Sequence, residues 1–304
     1  MKKMTNFSLK NRLRRTMMFV SAQRPGLMKD AYIYGPDSVI FDLEDAVAEN
    51  QKDAARFSLY HTLKTVDFGK VERVVRINGL DTPHWREDVR VAVAGGADAV
   101  RVAKCEGAQD AKTVDEEIAK AEAEFGREKG STLMMAALES PRGILNAFEI
   151  CTSSERMFGI AISGGDFRKS MQTTYYPGGH EMVAARGNML LAARAAGIQC
   201  FDTVFTDLDD LEGFRAETVL AKEMGFDGKS VVNPRQIQIV HEVFAPTEKE
   251  IIEAEKIVRA IKENTAKGIG IFSLDGKMLD IAFLPGAERI IALAKASGLY
   301  EGDL

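Results

Sequence analysis

Two acidic side chains follow neighbouring apolar runs of the sequence in a pattern that suits a metal ion. Glu139 directly follows one run, and Asp166 follows the next run along the chain, after Gly164 and Gly165. Two carboxylates without a supporting His or Cys suit a hard cation, and Mg²⁺ is typically held by one or two carboxylates plus waters and substrate oxygens. We therefore predict that Glu139 and Asp166 bind Mg²⁺ and that the glycines let the backbone approach a ligand closely. The alternative is that Glu139 caps the helix beginning at Pro141 and Asp166 caps a loop.

Basic side chains end two other apolar runs. Arg76 lies on an otherwise apolar run, and its buried guanidinium must meet an anion because an unpaired buried charge is very costly. We expect that anion to be a carboxylate of the substrate, with an internal ion pair to Glu44 or Asp45 as the alternative. Lys104 follows the next run. We expect it to orient the carboxylates of the site, and a Schiff-base role is its alternative.

Eight short apolar runs alternate with helical patterns and predict the elements that carry these residues. Unbroken alternation indicates a parallel sheet with crossover helices, and eight such units match the count and size of a TIM (β/α)8 barrel. Active sites of that fold lie at the C-terminal ends of the strands, where all the residues above are placed. A doubly wound sheet is the alternative, but SAQRPG (21–26) is not its glycine-rich turn. The predicted strands are residues 16–20, 38–43, 73–77, 99–103, 132–138, 157–163, 200–205 and 229–232.

The helical patterns of the barrel give way to a different segment near the C-terminus. We predict residues 1–240 as the barrel with a basic N-terminal extension, and residues 241–304 as a C-terminal helical lid or oligomerisation segment. The alternative for this segment is a cover on the outer wall of the barrel. The predicted helices are residues 51–63, 85–94, 108–125, 144–150 continuing from Pro141, 182–195, 211–224, 246–264 and one from about Ala287.

Composition excludes several classes of protein. The chain has 304 residues, 45% of them hydrophobic, and a net charge of −5, which argues against disorder and against a nucleic-acid binder. No apolar run approaches the roughly 18 residues of a membrane span, so we expect no membrane partner and a cytoplasmic location. The eight basic residues up to Lys29 precede any acid. We expect this basic start to contact phosphates of a ligand, with a solvated tail and a transit peptide as alternatives.

Seven motifs together resemble the citrate lyase β-subunit family, in the HpcH/HpaI aldolase superfamily, whose members cleave citryl, malyl or citramalyl thioesters. The resemblance extends from Arg14 to about Asp280. The motifs are RTMMFV (15–20), FDLEDAV (41–47), RINGL (76–80), LESP (138–141), FDTV (201–204), GFDGKS (225–230) and NPRQ (233–236).

The resemblance implies a TIM barrel with a C-terminal lid, Mg²⁺, and a thioester of CoA or of an acyl-carrier protein. By motif, Glu139 and Asp166 match the metal carboxylates, Arg76 matches the substrate-binding arginine, and Glu44 matches an acid that supports the metal site. Asp280, in the sequence MLD (278–280), matches a lid aspartate that acts as acid and base in the site of a neighbouring subunit. The resemblance thus also implies a homo-oligomer, a trimer or hexamer.

Three departures from the family pattern bear on the substrate. Ser21-Ala22 replaces the usual Pro-Gly, Ala103 replaces a proline, and Gly164-Gly165 lacks an acid beside the metal ligand. We therefore expect a stand-alone, Mg²⁺-dependent carbon–carbon lyase for citryl-CoA or citramalyl-CoA that releases acetyl-CoA and oxaloacetate or pyruvate. The alternatives are a β subunit of a citrate lyase complex acting on citryl-acyl-carrier protein, a Schiff-base aldolase using Lys104, and a non-catalytic carrier-binding subunit.

Overall fold

Eight parallel strands close into a barrel in the computed structural model, which describes residues 10 and 12–304. Each strand pairs with the next in the sequence, and β8 returns to β1 with Met17 opposite Ser230. The predicted TIM barrel is confirmed, and every predicted strand lies within a few residues of an observed one. The strands are β1 Thr16–Ser21, β2 Ser38–Asp42, β3 Glu72–Ile77, β4 Ala99–Val102, β5 Leu133–Leu138, β6 Met157–Ile162, β7 Gln199–Asp202 and β8 Gly228–Val231.

The interior of the barrel is an apolar core with a polar layer above it. Successive side chains of a strand point to opposite faces, so residues two apart share a face. Arg76 and Arg101 therefore share the interior face with the core residues that precede them on β3 and β4. This alternation places charged side chains at the C-terminal end of an otherwise apolar interior. The core cluster comprises Met17, Ile40, Val74, Ala99, Leu133, Met135, Phe158, Ala161 and Phe201.

Each predicted helix is present, with two local differences, and three further helices that were not predicted from the sequence lie at Pro25–Asp30, Gly164–Ser170 and Arg235–Phe244. The segment after β5 forms two short helices separated at Asn146, whose Nδ2 donates to the carbonyl of Glu106 at 2.7 Å. The last helix begins at Leu284 rather than near Ala287, because proline is accepted in a first helical turn. The helices are α1 Pro25–Asp30, α2 Lys52–Thr65, α3 Trp85–Gly95, α4 Ala108–Glu124, α5 Pro141–Leu145, α6 Ala147–Cys151, α7 Gly164–Ser170, α8 Val183–Ala196, α9 Leu211–Met224, α10 Arg235–Phe244, α11 Glu248–Ala266 and α12 Leu284–Ala296. None of the helices in the described residues is long and apolar enough to cross a membrane.

A second compact unit comprises His241–Leu304. Helices α11 and α12 pack through small and branched side chains that include Ala254, Val258 and Ile291. Between them lies a hairpin of β9 Ile271–Leu274 and β10 Lys277–Asp280.

The N-terminal end of the barrel is held by buried ion pairs. Arg14 is 1% exposed and contacts Glu72 at the start of β3 through Nε at 2.7 Å and Nη2 at 2.6 Å. Arg15 likewise contacts the two carboxylate oxygens of Asp37 through its Nε and Nη2. The expectation that the basic start binds ligand phosphates is wrong for these two arginines, because they are committed to carboxylates at the end opposite the predicted site. The expectation also includes Lys2 and Lys3, which lie outside the described residues.

Candidate active site

Arg76 is held between two carboxylates at the C-terminal end of the barrel. Its Nε and Nη2 lie 2.7 and 2.6 Å from the two oxygens of Asp42, and its Nη1 lies 2.9 Å from Oε2 of Glu44. Burial acts to lower the pKa of Arg76, but the charges of Asp42 and Glu44 outweigh this effect, so the pKa lies above its ordinary value. The alternative ion pair with Glu44 is therefore present and the one with Asp45 is wrong, whereas binding of a substrate carboxylate by Arg76 stays a prediction. Asp42 takes the place of Asp45 because it is the strand residue opposite Arg76 in the register.

Glu44 links Arg76 to Lys104, whose Nζ lies 2.6 Å from Oε1 of Glu44. Burial acts to lower the pKa of Lys104, but the contact with Glu44 raises it above the ordinary value. A Schiff-base lysine must lose its proton before it attacks a carbonyl. The geometry thus opposes the Schiff-base role and favours the orienting role for Lys104.

Glu139 presents one oxygen that no described residue binds. Its Oε1 accepts a hydrogen bond from the backbone N–H of Lys104 at 3.1 Å, and its Oε2 is buried without a partner in the described part of the chain. Lys104 adopts φ 50°, a left-handed conformation that is strained for a residue other than glycine. Burial and the charge of Glu44 raise the pKa of Glu139 to about 7. A buried carboxylate oxygen without a donor is a suitable ligand for a cation.

Asp166 lies in the first turn of α7 and lines two cavities. The wide cavity, of about 620 Å³, is lined by Lys104, Glu139 and Asp166. The narrow cavity, of about 270 Å³, is lined by Arg76, Arg101 and Asp166. Glu139 and Asp166 therefore border the same space, as expected from their strand ends. No cluster of three or more His, Cys, Asp or Glu side chains suited to a metal occurs within the described residues, so a cation here takes its remaining ligands from water or substrate.

The two glycines before Asp166 serve different purposes. A Cβ atom on Gly164 would lie 2.8 Å from Oγ1 of Thr203, which accepts a hydrogen bond from the backbone N–H of Gly164. A side chain at position 164 would therefore clash with Thr203, and Gly164 also lines the narrow cavity. A Cβ on Gly165 would meet nothing within 4 Å, and Gly165 lines the narrow cavity. The predicted open approach applies to Gly165.

Arg101 is the side chain of this site that the sequence reasoning missed. It occupies β4 opposite Arg76, is 1% exposed and lines the narrow cavity. The sequence pattern could have identified Arg101, because it interrupts an apolar run in the same way as Arg76 does.

The predicted acid Asp280 lies in the second compact unit, where its Oδ1 accepts a hydrogen bond from the N–H of Ala282 at 2.8 Å. Its role in a neighbouring site stays a prediction.

Comparisons with known proteins show the family of the chain. Residues 15–234 match the family described as HpcH/HpaI aldolase/citrate lyase. The chain belongs to the HpcH/HpaI aldolase/citrate lyase family. It is 51% identical over 292 residues to the citrate lyase subunit beta of Leuconostoc mesenteroides subsp. cremoris, covering 96% of this chain and 97% of the relative. It is 34% identical over 289 residues to a (3S)-malyl-CoA thioesterase of Cereibacter sphaeroides, covering 95% and 97%.

Solved structures of the HpcH/HpaI aldolase/citrate lyase family share the fold. CitE from Mycobacterium tuberculosis, in complex with magnesium, acetoacetate and coenzyme A, is 28% identical with a TM-score of 0.73, and the match covers 93% of this chain and 98% of that one. The citrate lyase beta subunit from the same organism, complexed with oxaloacetate and magnesium, is 29% identical with a TM-score of 0.65, covering 78% and 99%. The predicted family and the predicted enzyme class, a carbon–carbon lyase, are confirmed.

Proposed function

We propose that this chain cleaves a citryl thioester into an acetyl thioester and oxaloacetate, as a β subunit whose substrate is carried by an acyl-carrier protein. The observation that carries the proposal is the pair Glu139 and Asp166 bordering one cavity beside a cluster of basic side chains. The 51% identity to a citrate lyase subunit beta over nearly the whole chain supports this choice of substrate.

The carboxylates of Glu139 and Asp166 are suited to holding Mg²⁺. The buried Oε2 of Glu139 has no partner among the described residues, and this donor set fits a hard cation. The bound ion supplies Lewis-acid polarisation of the substrate hydroxyl and the carboxylate next to it. Lys104 fixes Glu139 through its backbone N–H and Glu44 through its side chain.

The reaction breaks the bond between the carbinol carbon and the methylene carbon next to the thioester. The hydroxyl gives its proton to solvent water and becomes the keto oxygen of oxaloacetate. The electron pair of the broken bond moves to the methylene carbon as a thioester enolate. Arg76, which is held in place by Asp42 and Glu44, stabilises charge on an oxygen of the substrate. We assign protonation of the enolate carbon to Asp280 of a second copy of the chain.

A CoA thioester of the citryl, citramalyl or malyl type is the second candidate. The departures at residues 21–22, 103 and 164–165 favour it, as does the 34% identity to a (3S)-malyl-CoA thioesterase.

The test is incubation of the purified chain with Mg²⁺ and, separately, citryl-acyl-carrier protein, citryl-CoA, citramalyl-CoA and malyl-CoA. The proposal expects oxaloacetate from the citryl thioesters, fastest from the carrier-bound one, and no product in EDTA. Release of free thiol without a keto acid would indicate hydrolysis and would contradict carbon–carbon cleavage. Borohydride trapping of a keto acid on Lys104 in EDTA would instead establish the Schiff-base alternative.

A further inference from the structure

Arg101 is a fully buried cation with uncommitted donors. Within the described residues, its Nε and Nη1 have no hydrogen-bond partner. Its one hydrogen bond runs from Nη2 to Oγ of Ser163 at 3.3 Å, and its guanidinium lies 5.1 Å from the ring centroid of Phe19. Neither contact supplies a negative charge.

The neighbour of Arg101 in the barrel makes this arrangement more costly. Arg76 stands opposite Arg101 in the register of β3 and β4, and each of its three guanidinium nitrogens contacts a carboxylate oxygen of Asp42 or Glu44. Burial and then the charge of Arg76 lower the pKa of Arg101 to about 10, which leaves it protonated at neutral pH. A buried charge with unmade hydrogen bonds is expensive, so an anion in the cavity would offset that cost.

The narrow cavity places this cation beside the proposed metal carboxylate. Arg101 lines it together with Ser163, Thr203 and Asp166, and Asp166 also borders the wide cavity that contains Glu139. The carbinol carbon of a citryl group bears a hydroxyl and a carboxylate, which suit the metal ion. It also bears a side arm that ends in a second carboxylate. The side arm ends in a methyl group in citramalyl thioesters and is absent in malyl thioesters.

We propose that Arg101 binds the side-arm carboxylate of the citryl group and thereby selects citryl over citramalyl and malyl thioesters. This inference rests on the proposed function, since it assigns a part of that substrate to a residue. Met of similar length in place of Arg101 removes the charge and keeps the volume, and Lys keeps the charge without the planar fork.

The test compares the wild type with Arg101→Met and Arg101→Lys on citryl-CoA and citramalyl-CoA in the presence of Mg²⁺. We expect Arg101→Met to lose roughly 100-fold in kcat/KM on citryl-CoA, the size of one lost charge-assisted hydrogen-bonded contact, and less than about threefold on citramalyl-CoA. Arg101→Lys should recover part of the loss on citryl-CoA. Arg14→Met, at the other end of the barrel, is the matched control and should leave the ratio of the two activities unchanged.

A binding measurement separates this inference from the proposed function. Calorimetric titration with oxaloacetate and with pyruvate, each with Mg²⁺, should show weaker oxaloacetate binding in Arg101→Met and unchanged pyruvate binding. Equal losses for both ligands, or no loss for either, would overturn the inference. Equal affinity of the wild type for oxaloacetate and pyruvate would overturn it as well. If the wild type binds oxaloacetate through Arg101 but cleaves no thioester, the proposed function and the selection among thioesters fail, whereas the assignment of Arg101 as the carboxylate-binding residue stands.

Discussion

The two ends of the barrel use the same residue types in opposite ways. At the N-terminal end, the guanidinium of Arg14 contacts both oxygens of Glu72, and its Nη1 donates to Gln199 at 2.6 Å. At the C-terminal end, Arg101 has two nitrogens and Glu139 one oxygen without a partner among the described residues.

The difference in hydrogen bonding between the two ends indicates that the N-terminal end serves stability and the C-terminal end serves function. Buried ion pairs with complete hydrogen bonds fix the strands at the N-terminal end, whereas incomplete ones leave donors and acceptors for a ligand. Whether a buried arginine serves stability or ligand binding can therefore be judged only from its hydrogen-bond partners. We expect substitutions at the N-terminal end to lower the free energy of unfolding, and substitutions at the C-terminal end to lower activity.

The largest effect is expected from the proposed metal carboxylates. Asp166→Ala and Glu139→Gln should each lower kcat/KM with a citryl thioester by about a thousandfold or more, because Lewis-acid stabilisation is worth several kcal/mol. Steady-state oxaloacetate release measures the loss, and circular dichroism checks that both variants are folded. Turnover at the wild-type rate in Asp166→Ala would refute the metal assignment.

A substitution at the N-terminal end of the barrel should lower the stability of the fold. Glu72→Gln leaves the buried charge of Arg14 uncompensated, so the free energy of unfolding should fall by about 3 kcal/mol. Urea denaturation measures this change. The kcat of the folded fraction should stay at the wild-type value, and a loss of kcat without a loss of stability would break the contrast between the two ends.

Arg101→Met sharpens the same contrast, because it removes a buried cation that has no carboxylate partner in the described residues. We expect its free energy of unfolding to lie within about 1 kcal/mol of the wild type or above it. Arg14→Met removes the buried ion-pair partner of Glu72, so its free energy of unfolding should be clearly lower in urea denaturation. A severe destabilisation by Arg101→Met would indicate that Arg101 serves the fold rather than a ligand.

The smallest expected effect is a pH dependence at the N-terminal end. Burial acts to raise the pKa of Glu122, but hydrogen bonds from Arg156 and from the backbone N–H groups of Gly130 and Thr132 outweigh it, so its pKa lies below the ordinary 4.5. Such a carboxylate stabilises the fold fully above its unfolded pKa, and this stability is lost as pH falls through the folded pKa. Stability should thus decline below about pH 4.5, and Glu122→Gln, although less stable at pH 7, should show a shallower decline. Parallel acid-unfolding curves would contradict this assignment.

The sequence predicted the barrel and most of the site because hydrophobic periodicity marks strands and polar residues stand out at their ends. Glu44, Glu139 and Asp166 were found in this way. Partner choice was less predictable, because it depends on strand register across the barrel. Asp42 rather than Asp45 therefore holds Arg76, and Arg14 and Arg15 pair with acids at the N-terminal end of the barrel instead of binding a ligand.

Binding of Mn²⁺ as a substitute for Mg²⁺, followed by electron paramagnetic resonance, tests the central claim most directly. The wild type and Glu72→Gln should each bind one Mn²⁺ per chain, and Mg²⁺ should displace it. Asp166→Ala should lose this binding while it remains folded. Unchanged Mn²⁺ binding in Asp166→Ala would contradict the assignment of the C-terminal end of the barrel as a metal-dependent active site.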